Sequence, residues 1–160
     1  MTTKYSQRSP KEFNRARAIF QWFVTTIGYR LIYKIKCGYK VIGRENLPKE
    51  GFYIVASNHI SAIDPFLMCN AIGRPVAFMA KEELFESFWS RTFMDFMGAF
   101  AVNREKLQVS TIKTALGIKK TNWVLGLFPQ GRRGDIMCRF SPIKIICSSQ
   151  FKIYSLMVQF

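Results

Sequence analysis

Histidine is almost missing from this chain. His59 is the only one, and ten acidic residues face 24 lysines and arginines, for a formal net charge of +14. The four cysteines, Cys37, Cys69, Cys138 and Cys147, lack the paired spacing of zinc ligands. We read them as reduced residues facing the cytosol and expect no metal. There is no internal repeat, low-complexity tract or Gly-rich nucleotide loop. The first ten residues are polar, without the apolar core and cleavage site of a signal peptide. Long apolar runs are short here too. Within residues 13–36 the longest charge-free run covers residues 18–29, whereas a spanning helix needs about 20 apolar residues. A length of 160 residues fits one core and one domain.

What is present is strongly basic. Residues 1–40 carry nine lysines and arginines and one acid, Glu12. Such a balance favours anionic partners, either lipid headgroups or nucleic acid. No recognition-helix pattern or RNP-like motif supports nucleic acid. The expected partner is a membrane surface bearing anionic lipids, and the expected location is membrane-associated, on the cytoplasmic face. Phe13, Ile19, Phe20, Trp22, Phe23, Val24, Ile27, Leu31, Ile32 and Ile35 give residues 13–36 a broad apolar face. Arg15, Arg17, Arg30, Lys34 and Lys36 flank it. That pattern predicts an amphipathic helix lying in the bilayer interface. It equally fits a helix packed on a core, and the two readings are compatible.

Periodicity predicts strands near residues 39–42, 52–56, 76–80, 99–103 and 123–128. Helices are predicted over residues 65–71, part of 83–97, and 109–120. Alternating strands and helices argue an α/β fold, a layered mixed sheet flanked by helices. Residues 143–147 and 151–160 read as further short apolar strands.

Chemistry concentrates at three predicted strand ends. Asn58-His59-Ile60-Ser61-Ala62-Ile63-Asp64 follows the strand at 52–56. Histidine titrates near neutrality and can take and return a proton, and a carboxylate can fix its tautomer. On a regular helix, five residues would leave the two side chains about 140° apart. They can meet only if the chain bends between them. Pro65 should push Asp64 out of helical torsions and serve as the first helical residue. The pair also fits a core histidine beside an N-capping aspartate. Phe128-Pro129-Gln130-Gly131-Arg132-Arg133 follows the strand at 123–128, and arginine forks bind phosphate. Between them, Gly98-Ala99-Phe100-Ala101-Val102-Asn103-Arg104 ends in another arginine. In open α/β sheets, ligands sit in such crevices.

In this order the three elements resemble the glycerolipid acyltransferases of the lysophosphatidic acid (1-acyl-glycerol-3-phosphate) acyltransferase family. Asn58, His59 and Asp64 match its Asn-His-x-x-x-x-Asp block. Gly98, Phe100 and Arg104 are similar to its glycine- and phenylalanine-bearing strand ending in arginine. Phe128, Pro129, Gly131 and Arg133 match its Phe-Pro-Glu-Gly-Thr-Arg block. Residues 74–85 look like the family's linking strand, so the resemblance covers roughly residues 38–134. Gln130 replaces the usual glutamate and Arg132 the usual threonine. No match to the family's fourth, Val-Pro-containing block follows Arg133.

The resemblance implies transfer of a fatty acyl chain from acyl-CoA or acyl carrier protein to the free hydroxyl of a lysophospholipid. His59 would be the base and Asp64 its orienting carboxylate. Asn58, Arg104, Phe128, Pro129, Gln130, Gly131, Arg132 and Arg133 would form the substrate site, with Arg104 and Arg133 favoured for the acceptor phosphate. No cofactor is implied. The resemblance divides the chain into a basic interface segment (1–37), an incomplete acyltransferase domain (38–134) and an atypical tail (135–160). It implies that C-terminal sheet strands are missing and an edge exposed. The competing expectation is a weakly active or inactive membrane-binding remnant.

Overall fold

A computed structural model describes residues 3–37, 39–59, 61–103, 108–129, 140–146 and 153–159. Its centre is a sheet of seven strands: β1 (Lys40–Ile42), β2 (Ile54–Ser57), β3 (Val76–Lys81), β4 (Phe100–Val102), β5 (Val124–Leu127), β6 (Phe140–Ile146) and β7 (Ile153–Gln159). The spatial order is β1-β7-β6-β2-β5-β3-β4. Strands β2, β5, β3 and β4 are parallel, and β6, β7 and β1 join them antiparallel. The sheet is therefore mixed, as the alternating pattern predicts. All the predicted strands are found, with ends shifted by at most three residues. The apolar segments of the tail form β6 and β7, and β6 pairs along β2. The expectation of an exposed edge is thus not met at β2. The outermost strands of this sheet are β1 and β4.

The helices are α1 (Thr3–Ser6), α2 (Arg15–Phe23), α3 (Leu31–Cys37), α4 (Asp64–Ile72), α5 (Phe88–Phe96) and α6 (Val109–Ile118). Between α2 and α3, Val24–Arg30 winds more widely as a π-helix, so residues 15–37 form one long rod. Parallel strands carry side chains alternately to two faces, and both are covered. On one face, Val55, Val76, Phe78 and Val124 pack with Leu67, Met68 and Ile72 of α4. On the other, Ala77, Phe100 and Leu125 pack with Ile118 of α6, with Trp123 and with Phe13. Phe13 sits edge-on to Trp123, with ring centroids 5.6 Å apart, and is buried. Its expected place on the interfacial face is corrected: it precedes α2 and belongs to the core.

Gly98 holds φ +74, and a Cβ there would overlap the Trp123 ring. Only glycine meets both demands, which accounts for Gly98 at the entry to β4.

The N-terminal segment is sewn into the domain by polar contacts. The Arg8 N–H donates to Thr114 Oγ1 (2.9 Å), and that hydroxyl donates to the Ser6 carbonyl (2.8 Å). The carboxylate of Asp95 on α5 pairs with the buried Arg8 and, at 2.9 Å, with Arg17. Burial pushes the Arg8 pKa below its ordinary value, and Asp95 opposes that push. The central suture is Gln21. Its amide donates to the carbonyls of Val76 and Met97 (2.7 Å each) and accepts the Val76 N–H (2.9 Å).

The rod consequently turns polar residues inward. Gln21 and Thr25 are 2% exposed, whereas Trp22 is 58% and Ile35 75% exposed. Ile19, Phe23, Ile27, Leu31 and Ile32 are exposed as well. Beside the rod, α5 adds Phe88, Phe96 and Trp89, the last 80% exposed. Phe20 joins the two elements through Phe93 and Phe96. No helix among the described residues is long and apolar enough to cross a membrane.

Gln21→Leu should destabilise the fold by about 3 kcal/mol. It strips partners from three buried backbone groups, and each orphaned group costs roughly 1–3 kcal/mol. Urea unfolding should show a lower midpoint at unchanged slope; a wild-type midpoint would mean that the amide does not carry this junction.

Candidate active site

Parallel strands end on one edge of a sheet, so β2, β5, β3 and β4 deliver their C-terminal loops side by side. The loop after β2 carries the histidine. His59 Nδ1 lies 3.0 Å from Asp64 Oδ2, and both side chains are about one-fifth exposed. The bend between them is built locally. The Ser61 N–H donates to the same Asp64 oxygen at 2.7 Å. The Asp64 N–H donates back to the Ser61 carbonyl at 3.2 Å. The carboxylate thus closes a four-residue turn and meets the imidazole across it.

The predicted start of the following helix needs a small correction. Helix α4 begins at Asp64, with Ile63 as N-cap, so Pro65 is the second helical residue. The first four helical N–H groups have no intrahelical acceptor, so a proline is tolerated at either of the first two positions. Asp64 thereby enters the first turn of α4, where the helix dipole favours its negative charge.

Phe128, predicted for the substrate site, lies against the histidine. The His59 and Phe128 rings stack with centroids 4.4 Å apart, and Phe128 stacks on Phe78 at 5.9 Å. The ring stack fixes the imidazole plane and the carboxylate fixes its tautomer. With Nδ1 turned to Asp64, Nε2 is the basic nitrogen of the neutral ring. Asn58 follows β2 and is half-buried, its carbonyl accepting from Ser57 Oγ (3.1 Å). Pro129 is exposed at the end of β5. Arg104, Gln130, Gly131, Arg132 and Arg133 lie outside the described residues.

Three contributors are not evident in the sequence pattern. Ser61 acts through its backbone N–H, which any residue but proline supplies. Phe78 acts through Phe128, across the β5–β3 pairing. Glu82 Oε2 accepts from Asn103 Nδ2 (3.0 Å), tying the ends of β3 and β4 together just before Arg104. Cys69 is a buried free thiol in α4, and burial pushes its pKa up, so it is a core residue rather than a nucleophile. Among the described residues no cluster of His, Cys, Asp or Glu could hold a metal ion. A cavity of about 580 Å³ is lined by the N-terminal segment and the chain before β5, and by none of the predicted site residues.

The sequence model of the family described as Acyltransferase matches residues 38–144, which include the His59–Asp64 turn and all four parallel strands. The chain belongs to the acyltransferase family. It is 32% identical over 105 residues to the 1-acyl-sn-glycerol-3-phosphate acyltransferase of Bacillus subtilis, covering 65% of this chain and 53% of that protein. A protein of the same name from Borreliella burgdorferi is 31% identical over 100 residues (60% of this chain, 40% of that one). The one from Saccharomyces cerevisiae is 31% identical over 118 residues (71% and 38%). The chain spans about half the length, or less, of these curated relatives. No solved structure gives a significant match.

Proposed function

We propose that this acyltransferase-family chain moves a fatty acyl group from a thioester, acyl-CoA or acyl carrier protein, to the free hydroxyl of 1-acyl-glycerol-3-phosphate, yielding phosphatidic acid. The observation that carries the reading is the His59–Asp64 pair, 3.0 Å apart at the end of β2. The relatives' names point to the same acceptor.

The chemistry follows from the pair. His59 Nε2 takes the hydroxyl proton as the hydroxyl oxygen attacks the thioester carbonyl. The tetrahedral adduct collapses, the C–S bond breaks, and the imidazolium returns the proton to the leaving thiolate. Asp64 holds the tautomer and steadies the imidazolium charge. Phe128 keeps the ring in plane. Backbone N–H groups near Gly131 and the side chain of Asn58 complete the pocket, without metal or cofactor. Arg104 and Arg133, with Arg132 as a further candidate, bind the acceptor phosphate through their forks.

The reaction takes place on a membrane surface of anionic lipids, at the cytoplasmic face. The inverted polarity of the rod supports this: an outward apolar face with a buried amide behind it suits an apolar surrounding better than water. Residues 1–37 then form the interface segment, 38–134 the catalytic part and 135–160 the tail. No nucleic acid takes part.

His59→Ala should lower acyl transfer by about 10²–10⁴-fold with the fold intact, and Asp64→Asn should lose much of the same factor. Free-thiol release from acyl-CoA measures it. Turnover near wild type in folded His59→Ala would end this mechanism.

Arg104→Ala and Arg133→Ala should chiefly raise KM for the phosphate-bearing acceptor, and lysine should restore only part, since a point charge replaces a planar fork. A raised donor KM with an unchanged acceptor KM would reassign these arginines.

Trp22→Ser and Trp89→Ser should each weaken flotation with anionic vesicles by about tenfold, or roughly 1.4 kcal/mol. Salt should weaken binding of the intact chain, since surface attraction is worth about 1 kcal/mol per basic residue and is screened beyond about 10 Å at 0.1 M. Deleting the rod would also remove Gln21 from the core, so point variants are the cleaner probe. Flotation indifferent to both substitutions would place the anchor elsewhere.

A further inference from the structure

A second polar cavity lies at the far end of α4 from the catalytic pair. Asp64 opens this helix and Gly73 caps it nine residues later, a separation of roughly 13 Å along the axis. Around Gly73, the rod, the loop after β1 and the C-terminus of α4 enclose a cavity of about 180 Å³. Arg30 enters it from the rod, Arg44 from the loop and Asn70 from α4, with Thr26 and Arg74 also on the wall. Trp22 borders it on the rod's apolar side.

Partner accounting sets this cavity apart. Arg74 is used by the fold, donating to the carbonyls of Gly51 (2.8 Å) and Asn122 (3.1 Å). Gln21 and Thr25, also on the wall, are bonded to backbone carbonyls. Among the described residues, Arg30, Arg44 and Asn70 have no hydrogen-bond or ion-pair partner. Asn70 is only 7% exposed, yet its amide still reaches the cavity solvent, as do the exposed Arg30 and Arg44, so all three can exchange water for the oxygens of a ligand. Gly73 is left-handed, at φ +71, and a Cβ there would run into the Arg44 guanidinium. Glycine at this cap therefore leaves the guanidinium its place over the end of α4. A structural role alone, a cation beside the negative end of a helix, accounts for Arg44. It does not account for Arg30 and Asn70 converging on the same space.

We propose that this cavity is a phosphate-binding site, separate from the acceptor site at the other end of α4. Two guanidinium forks supply bidentate donors, and the Asn70 amide and Thr26 hydroxyl supply neutral ones. The site opens beside Trp22, at the level a lipid headgroup would occupy if the rod lies on a bilayer. Its ligand is a phosphomonoester, either a lipid headgroup or the free ion, and binding clamps the rod to α4.

The test is the thermal midpoint of the full chain, titrated with inorganic phosphate and with chloride at matched ionic strength. A ligand bound only by the folded state raises the midpoint as its concentration passes Kd. Phosphate should give a saturating rise that chloride does not. The pair Arg30→Gln with Arg44→Gln, and separately Asn70→Asp, should weaken the apparent phosphate affinity at least tenfold. Lys113→Gln with Lys119→Gln, the same loss of two charges on exposed residues of and just after α6, should leave it intact. Arg104→Ala removes the proposed acceptor site's share of the response, and the saturating rise that remains belongs to this cavity. Vesicles then distinguish the sources, with phosphatidic acid or phosphatidylserine in phosphatidylcholine at equal surface charge. A preference for phosphatidic acid that the double variant loses identifies the headgroup. Phosphate binding without that preference identifies the free ion. Equal effects of phosphate and chloride on the wild type, or a wild-type phosphate response in both cavity variants, would overturn the proposal. So would loss of the response in Arg104→Ala alone.

Discussion

The architecture turns on one buried amide. Gln21 bonds the first residue of β3 on both its N–H and its carbonyl, and the carbonyl of Met97 just past α5. A side chain with two donors and an acceptor can hold three backbone groups only at one rotation of its helix. Once that rotation is set, the remaining faces of the rod follow. Thr25, one turn on, must also point inward, and Trp22, Phe23 and Ile27 must point out. A hydrophobic contact could slide or rotate at little cost, because it is not directional. The hydrogen bonds cannot. The outward apolar stripe is thus a consequence of polar chemistry inside, and the stripe does not have to be stable in water on its own account.

The sheet was legible because its strands are short apolar runs punctuated by glycine, proline and polar turns. Val76–Lys81 and Val124–Leu127 have few other conformations open to them between such breaks. The His59–Asp64 contact was legible, since a lone histidine five residues before Asp-Pro sits just past an apolar run. The rod was harder. Its periodicity named the apolar residues correctly but could not say which way they face, because an apolar stripe fits a core and a bilayer equally well. Phe13 shows the limit: its composition matches the stripe, and its position before the N-cap Asn14 puts it against Trp123 instead. Strand order was likewise hidden. That β5 enters between β2 and β3 depends on pairing across some 70 residues, which local pattern does not encode. Ser61 and Asn70 were invisible for another reason: one acts through its backbone, and the other matters because it lacks a partner.

The order of strands has a chemical consequence. With β5 beside β2, the loop carrying Phe128 falls next to the loop carrying His59, and their rings stack at 4.4 Å. Strand β4 is three positions from β2, roughly 14 Å at ordinary strand spacing. Any side chain just past β4 that meets a small ligand held at His59 must therefore lean back along the edge, over the ends of β3 and β5.

The rod also touches the catalytic turn. Tyr29 stacks on Phe66 with centroids 4.3 Å apart and planes within 9°, and Phe66 is two residues beyond Asp64. Phe66 also meets Phe93 of α5, the second element with an exposed apolar face. On the function proposed above, the acceptor keeps its acyl chain in the bilayer and offers its hydroxyl at the interface, so the base would have to stand at a fixed height above the lipid. Helix α4 meets that demand mechanically. Its first turn holds Asp64, Phe66 carries the aromatic contact to the rod, and its far end lies under Arg44. A helix of nine residues is stiff over its length. A shift of the rod is therefore felt at the turn that holds Asp64 and His59, through the Tyr29–Phe66 stack and about half a helical turn.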